Sequence, residues 1–239
     1  MDKSKLVRFI EKYYLDKEVQ SVILETKSDI LFTRFITGDK SLLGELKLDN
    51  WTFEDANLGV YDTEQLSKLL DVLSDDIEIK LKSFDTKAVA LEVSDDYAKI
   101  NYMLSDLSVI NQPPELKQLP EFQVKIKVDT KFITKFIAGK GALPDTDTFT
   151  VVTDNDTVKV VIGYSAINTN RVTLPVETET FEDINRVSFN ANLFKEVLSA
   201  NKECESALLE VSEQGLSRIS FNVDDYSVVY YLVAIQDID

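Results

Sequence analysis

The two halves of this sequence carry the same patterns in the same order, and this duplication constrains the fold more than any other feature. Asp2 and the apolar residues that follow it at helical spacing match Asp129 and its own apolar series at an offset of 127. Residues 60–70 match residues 188–198 at an offset of 128. Residues 60–70 and residues 188–198 each have an aromatic residue, then an Asp or Asn cap, and then an apolar helical pattern. The duplication predicts two similar domains.

A third match and a proline-rich stretch complete the arrangement. Asp95-Asp96-Tyr97 and Asp224-Asp225-Tyr226, each followed by a strand pattern, match at an offset of 129. Between the halves, Ser108 to Phe122 holds three of the five prolines, which favours an extended, semi-rigid connector over a helix or a central strand. We therefore expect an N-terminal domain at 1–108, a connector at 109–121 and a C-terminal domain at 122–239.

Each half is predicted to contain two helices and many strands. Apolar spacing predicts four helices, at 3–15, from Asp62 or Thr63 through Leu73, from Thr130 to about Lys140, and from the cap Asn190 to about Ala200. We expect Gly139 and Gly141 to end the third helix. Alternating patterns predict strands in the runs 22–24, 30–32, 46–48, 77–82, 87–93, 99–104, 123–128, 148–153, 157–164, 171–176, 206–212, 217–223 and 226–235. Asp154-Asn155-Asp156 is predicted to be a tight turn. The fold class is α+β with a dominant antiparallel sheet.

Composition limits the class of protein. The sequence has no apolar run of about 20 residues that could span a bilayer, and no apolar signal region follows its first residues. We therefore expect an intracellular protein with no membrane partner. A single cysteine rules out an internal disulfide, and the lack of histidine disfavours zinc. Cys204 is best explained as a semi-buried structural thiol.

The distribution of charge along the chain points to a polyanionic partner, although the net charge of the chain is negative. The formal net charge is −16, which by itself argues against nucleic acid. Residues 3–15 and 130–141 nevertheless carry +3 each, so the rest of the chain carries −22. The charge of the other two helices is uneven, since Lys68 is outnumbered by Glu64 and Asp71. The alternative, that the basic helix faces are simply solvated, stays open.

The sequence carries no recognisable catalytic motif. It has no histidine to act as a base near neutral pH, and Gly139-Lys140-Gly141 lacks the spacing of a phosphate-binding loop. The paired acids Asp75-Asp76, Asp95-Asp96 and Asp224-Asp225 lie at predicted turns, where Asp suits the backbone geometry. We expect no enzyme activity, no cofactor and no metal, although nothing in the sequence rules out a carboxylate metal site.

These features together resemble the DNA polymerase sliding clamps of proliferating cell nuclear antigen type, and among them the clamps of T-even-type bacteriophages. The resemblance rests on Val60-Tyr61-Asp62, Leu66, Leu69-Leu70, the run 75–79 and the tail 230–234. It implies a clamp fold of two similar domains, and a closed head-to-tail homotrimeric ring. Such a ring would encircle duplex DNA and tether a DNA polymerase, with a clamp loader as a further partner, in the cytoplasm of an infected bacterium if the chain is phage-encoded.

The resemblance also implies three sets of site residues. Cations expected to face DNA are Lys5, Arg8, Lys12, Lys131 and Lys135, and with less support Lys68, Lys140, Lys195 and Lys202. A pocket for partner peptides is expected at Val109, Ile110, Leu116 and Leu119, for which plain packing of the connector is an equal alternative. Subunit edges are expected at Lys99, Asn101, Tyr102, Leu104, Arg171, Thr173 and Val176. The other functional hypotheses are a duplicated structural or virion protein without DNA binding and a carboxylate-based metalloenzyme.

Overall fold

The structure, a computed structural model, describes residues 2–85, 87–154, 156–165, 167 and 169–235. The chain divides into two compact units. Unit 1 comprises Met1–Gly38 and Gly44–Pro114, and unit 2 comprises Asp39–Leu43 and Glu115–Asp239. Apart from the short segment 39–43, the boundary between the units therefore falls between Pro114 and Glu115, inside the proline-rich stretch.

Four α-helices lie where the sequence predicts them. Unit 1 contains α1 (Lys3–Tyr14) and α2 (Thr63–Leu70), and unit 2 contains α3 (Thr130–Ala142) and α4 (Ala191–Ser199). A short 3-10 helix covers Leu107–Val109. Each α-helix begins after an acidic or amide residue whose side chain accepts a backbone amide of the first turn. The four caps are Asp2, Asp62, Asp129 and Asn190.

The strands of unit 1 form two antiparallel arrangements. In one, the order is β3, β2, β1, β4, and in the other it is β5, β6, β7. Their bounds are β1 (Val22–Lys27), β2 (Ile30–Ile36), β3 (Leu42–Leu48), β4 (Ala56–Val60), β5 (Glu78–Phe84), β6 (Lys87–Ser94) and β7 (Lys99–Met103). In the second arrangement β6 is central, with Val93 opposite both Ile79 and Ile100.

Unit 2 is built in a similar way, with nine strands among the described residues in place of the seven of unit 1. One set of strands has the order β12, β8, β14, β15, β16, and the other has the order β11, β10, β9, β13. Their bounds are β8 (Val124–Asp129), β9 (Thr148–Asp154), β10 (Thr157–Ile162), β11 (Val172–Pro175), β12 (Thr178–Phe181), β13 (Val187–Asn190), β14 (Ser206–Ser212), β15 (Leu216–Val223) and β16 (Tyr226–Val233). The predicted α+β class with antiparallel sheets is confirmed.

Helices pack on strands through aromatic clusters. In unit 2, Phe136 of α3 and Phe194 of α4 contact edge to face with ring centroids 4.9 Å apart, and Phe194 stacks on Phe149 of β9 at 4.7 Å. All three rings are fully buried, so this cluster is a main source of hydrophobic stabilisation. In unit 1, Tyr13 of α1 lies between Phe9 and Phe35, with ring centroids 6.1 and 6.3 Å away.

The structure corrects some local predictions. Gly139 and Gly141 do not end α3, which continues to Ala142 and reaches its C-cap at Leu143, immediately before Pro144. A proline disfavours helical geometry in the residue before it, so Pro144 explains the end of the helix better than the glycines do. Three strands were missed, namely β4, β12 and β13. The 3-10 helix overlaps the start of the stretch that was predicted to be extended. The predicted turn at Asn155 lies outside the described residues.

Candidate nucleic-acid interface

The two basic helices, α1 and α3, start in the same way. Asp2 accepts the amide of Ser4 at 2.8 Å, and Asp129 accepts the amide of Phe132 at 2.6 Å. The hydrogen bonds from Ser4 favour the ionised carboxylate of Asp2 and hold its pKa below the usual value. Because each cap fixes where its helix begins, it also fixes which side chains lie on the face away from the core.

The clearest pair of surface cations lies on α3. Lys131 and Lys135 are four residues apart, so they lie on the same face of the helix, and both are exposed. Within the described part of the chain, no carboxylate lies within ion-pair distance of either lysine. The opposite face buries Phe132, Ile133 and Phe136. This face can therefore offer two uncompensated positive charges to an anion.

In unit 1 the helix cations are less available. Lys5 and Arg8 lie on α1 and are half-buried. Lys68 of α2 is exposed and forms an ion pair of 2.7 Å with Glu64, which also pairs with Lys17 at 3.2 Å. The hydrogen bonds from Lys68 and Lys17 lower the pKa of Glu64. Lys68 is thus partly neutralised by its own helix.

Helix α4 and the turn after it add two more cations to unit 2. Lys195 is half-buried and pairs with Glu196 at 2.7 Å. Lys202 is exposed. Among the described cations on the helices of this unit and in the turn after α4, Lys131, Lys135 and Lys202 are therefore the ones that are exposed and outside any ion pair.

Two predicted surface cations are in fact buried. Lys12 is 1% exposed and Lys140 is 4% exposed, so the prediction that they lie on the exposed basic face is wrong. Each is in the last turn of its helix, where a positive charge is favourable because the helix carbonyls point towards it. The Lys140 ammonium donates to the carbonyls of Leu143 at 3.2 Å and Pro144 at 2.9 Å.

Lys3 has a structural role that the sequence analysis missed. Its ammonium donates to the carbonyls of Leu70, at 3.4 Å, and Leu73. These carbonyls lie at and just beyond the C-terminal end of α2, so Lys3 caps that end and joins α1 to α2. The contact links residues about 70 positions apart, and no local pattern in the sequence could have indicated it.

A cleft of about 870 Å³ opens in unit 2 beside α3. The exposed Lys131 and Lys135 line it from the helix, and Leu174 and Pro175 line it from β11. Its apolar lining also includes Phe132, Val128, Ala207 and Leu208. No local pattern in the sequence indicates this cleft, because its walls come from strands and a helix that are far apart along the chain.

Two strands, β7 in unit 1 and β11 in unit 2, are edge strands, since each is the outermost strand of its sheet. Along β7, Lys99 and Asn101 are exposed, whereas Tyr102 is 3% exposed and its hydroxyl donates to the backbone carbonyl of Asp62 at 3.0 Å. Of the remaining predicted edge residues, Arg171 and Thr173 are exposed and Leu104 and Val176 are half-buried. Tyr102 can therefore contribute only its backbone to a contact at this edge.

The connector residues are divided between core and surface. Ile110 is buried, whereas Val109 and Leu116 are exposed and Leu119 is half-buried. Arg34 anchors the first part of the connector by donating to the carbonyl of Pro114 at 2.6 Å. For Ile110 the packing alternative is therefore the correct one.

Among the described residues, no three side chains of the types His, Cys, Asp and Glu are close enough together to hold a metal ion. In the same residues, no helix is long and apolar enough to cross a membrane.

No family model and no curated protein matches this chain. Solved structures do. The proliferating cellular nuclear antigen of Entamoeba histolytica is 16% identical with a TM-score of 0.75, and the match covers 99% of this chain and 97% of the other.

Two archaeal structures give the same result. The PCNA2–PCNA3 complex of Sulfolobus tokodaii is 14% identical with a TM-score of 0.74, covering 98% of this chain and 97% of the other. The PCNA of A. fulgidus, bound to the C-terminal region of FEN-1, is 15% identical with a TM-score of 0.78, covering 100% of this chain and 98% of the other. The chain therefore has the fold of PCNA-type clamps along its whole length.

Proposed function

We propose that this chain is a DNA polymerase processivity factor, a sliding clamp that encircles duplex DNA as a homotrimeric ring. The observation that carries the proposal is the likeness to PCNA chains over 97–98% of their length as well as 98–100% of this chain. A shared domain alone would be weaker support, because one fold can serve many functions. Here the match extends over nearly the whole of both chains.

The DNA-facing surface is proposed to consist of Lys5 and Arg8 on α1 and Lys131 and Lys135 on α3. Lys68, Lys195 and Lys202 contribute less, since the first two are paired with glutamates of their own helices. Lys12 and Lys140 are omitted because they are buried.

The mechanism is topological. A closed ring stays on a duplex without strong phosphate contacts, so a few weak, salt-sensitive attractions are enough to centre the DNA and still permit sliding. The strongly acidic remainder of the chain discourages DNA from binding elsewhere.

Ring formation is proposed to occur head to tail, with β7 of one copy beside β11 of the next. Each of these strands ends its strand order, and pairing them satisfies backbone groups that would otherwise template aggregation. Three copies would supply six similar units and twelve helices. The complex of S. tokodaii PCNA2 with PCNA3 is a solved assembly of chains with this fold.

The proposed partners are a DNA polymerase and a clamp loader, with a peptide site at the connector. A. fulgidus PCNA binds the C-terminal region of FEN-1, which supports recognition of short peptides by a chain of this fold. Val109 and Leu116 are exposed and Leu119 is half-exposed, so they are retained as candidates, and the buried Ile110 is not. We also propose that the chain is a clamp of the T-even phage type and that it has no catalytic activity of its own.

The first test is the molar mass in solution, measured by light scattering over a dilution series. We expect a species near three times 27.1 kDa, about 81 kDa, that dissociates on dilution. A monomer at every concentration would contradict the ring and favour the duplicated structural protein instead.

The second test is the salt dependence of binding to a short DNA duplex, measured by fluorescence anisotropy. We expect Lys131→Ala/Lys135→Ala to reduce the slope of log affinity against log salt by about 1 for each lysine that contacts a phosphate. Lys27→Ala/Lys117→Ala is the matched control, because it removes two exposed lysines that lie on no helix. Equal slopes for the two double variants would refute the assignment of Lys131 and Lys135 to the DNA surface.

A further inference from the structure

Strand β5 of unit 1 corresponds to strand β14 of unit 2, but it has one neighbouring strand where β14 has two. The two strands are related by an offset of 128, and both pair in the same register with the strand that follows. Lys80 lies opposite Glu92, and Leu208 lies opposite Ser220. On its other side, β14 pairs with the whole of β8. Among the described residues β5 pairs with β6 alone, so it is an edge strand where its counterpart is a central one.

An isolated bridge in unit 1 marks the position that β8 takes in unit 2. Strand β8 ends at Asp129, the cap of α3, opposite Ser206 at the start of β14. The corresponding cap of α1, Asp2, forms an antiparallel bridge with Asp76, just ahead of β5. The open edge therefore starts beside this bridge and continues along β5.

The exposure of the β5 side chains reflects the open edge. Leu209 of β14 is fully buried and lies opposite Ile126 of β8. Its counterpart Leu81 is half-buried and lines a cleft of about 460 Å³. Ile79, on the same face of β5, is also half-buried. Apolar residues on an added strand would complete the burial of Ile79 and Leu81.

The backbone of β5 is suited to strand addition. The pairing of β5 with β6 skips Val89, so the extra residue of this bulge belongs to β6 and β5 stays regular. Alternate residues of an edge strand direct their amide and carbonyl groups away from the sheet. An extended peptide can pair with such a row of groups and become the next strand.

Charge indicates which kind of segment fits this edge. On the solvent-facing side β5 carries Lys80 and Lys82, where β14 carries Leu208 and Glu210. In unit 2, Lys125 of β8 lies opposite Glu210, with 3.9 Å between the charged atoms. Because Lys82 reverses the charge of Glu210, an acid on the added strand suits the place that Lys125 takes in unit 2.

Ion pairs within unit 1 leave this face of the sheet positive. Lys82 pairs with Glu92 at 2.9 Å, and Glu92 also pairs with Lys99 at 3.1 Å. Lys80 pairs with Glu78 at 2.9 Å. Three lysines against two glutamates leave a charge of +1 on these five side chains. Two lysines share one carboxylate, so Lys82 can accept a second acidic partner from its open side.

We infer that β5 binds an extended segment of a partner protein, and that this segment alternates apolar and acidic residues. It pairs antiparallel with β5, as β8 pairs with β14. Its apolar residues lie opposite Ile79 and Leu81, and its acidic residues lie opposite Lys80 and Lys82. The opposite end of this sheet is β7, so the site uses neither the proposed ring contact nor the connector, and it does not depend on the ring.

The test is the binding of two labelled peptides to the full chain, measured by fluorescence anisotropy. The acidic probe has the core Val-Glu-Ile-Glu-Val. The basic probe has the core Val-Lys-Ile-Lys-Val, which is the sequence of residues 124–128 in β8, and both probes carry the same flanking residues. We expect the acidic probe to bind about fivefold more tightly, because two cross-strand pairs of opposite charge replace two of like charge.

A charge reversal places the probes on β5. Lys82→Glu gives β5 the charge that β14 has at this position, so this variant should prefer the basic probe. Lys27→Glu is the matched control, because it makes the same change at an exposed residue of β1, which lies in a different strand order of unit 1. It should keep the preference of the wild type, and circular dichroism checks the fold of both variants.

Backbone pairing is tested on the wild type, so this measurement does not depend on the folding of any variant. Two forms of the acidic probe carry N-methyl groups on alternate residues, one form on each set. Only one set of amides faces β5 in a strand pair. We therefore expect one form to lose at least about tenfold in affinity and the other to bind like the parent probe.

Four results would overturn the inference. They are failure of the acidic probe to bind, equal preference in the wild type and Lys82→Glu, equal binding by the two methylated forms, and weaker binding of the acidic probe to Leu116→Ala, which would assign the peptide to the connector. A molar mass that rises beyond the trimer and falls back in Lys82→Glu would assign the edge to a second copy instead. A monomeric wild type that still binds the acidic probe would refute the ring and support strand addition.

Discussion

The contact between Tyr102 and Asp62 gives a sharp test of how β7 is fixed to α2. Tyr102→Phe removes one hydroxyl and leaves the buried ring in place. The hydroxyl makes two hydrogen bonds, of 3.0 and 3.1 Å, to the backbone of Asp62. A hydrogen bond contributes about 1 kcal/mol net to stability, and Asp62 is exposed, so water can partly replace the lost partner. We therefore expect the free energy of unfolding to fall by about 1–2 kcal/mol.

The assay is urea unfolding followed by fluorescence and circular dichroism, with the free energy obtained by linear extrapolation. Tyr97→Phe is the control, because Tyr97 is 91% exposed and the same atom is removed. It should change stability by less than about 0.5 kcal/mol. If the two variants were equally stable, the hydroxyl of Tyr102 would not hold α2 to β7.

Two further predictions concern a helix and a turn. Gly141→Ala should stabilise unit 2 by up to about 1 kcal/mol in urea unfolding, because Gly141 lies in α3 and an added Cβ would have nothing within 4 Å. Gly139→Ala should gain less, since its Cβ would lie 3.0 Å from Val172, and an equal gain at both positions would contradict the close packing of α3 on β11. Asp95 accepts three backbone amides, from Ser74, Tyr97 and Ala98, and these hydrogen bonds lower its pKa well below the usual value. The contribution of the Asp95 carboxylate to stability is therefore complete above about pH 4, the pKa of an unfolded Asp, and is lost as the pH falls below that value. The melting temperature of the wild type should accordingly exceed that of Asp95→Asn by less at about pH 3 than at about pH 6. An advantage that did not change with pH would show that the carboxylate charge is not involved.

The distribution of cations bears on how such a ring would hold DNA. In unit 2, Lys131 and Lys135 have no acidic partner among the described residues, whereas in unit 1 Lys68 is held by Glu64. In the proposed ring, attraction to the phosphates should therefore be stronger at unit 2 than at unit 1. Around a trimer this would alternate strong and weak contacts, which suits a clamp that must centre DNA without stopping on it.

Local sequence patterns predicted those features whose causes are local. Asp62 (or Thr63) and Asn190 were recognisable as helix caps, because a cap needs only a short polar side chain next to an amphipathic run. Asp2 and Asp129 were noticed only as matching residues ahead of two similar helices, and the structure shows that they are caps as well. The duplication was also visible, since matching caps and apolar spacings recur at nearly constant offsets. From these, the four helices and the α+β class could be predicted.

Tertiary structure decided what depends on partners that are distant in the sequence. Lys12 and Lys140 looked like surface cations, yet both are buried in the last turns of their helices. Gly139 looked like a helix end, and it is instead the point where α3 packs against β11. Composition alone could not have shown these outcomes.

The sequence by itself determined the duplicated α+β pattern and the two basic helices, because periodicity and capping act over a few residues. Only the tertiary structure decided which cations remain exposed, where the cleft beside Lys131 and Lys135 opens, and which strand edges are left at the ends of their sheets. The physical reason is that burial, ion pairing and edge exposure are set by strands and helices packed together from distant parts of the chain.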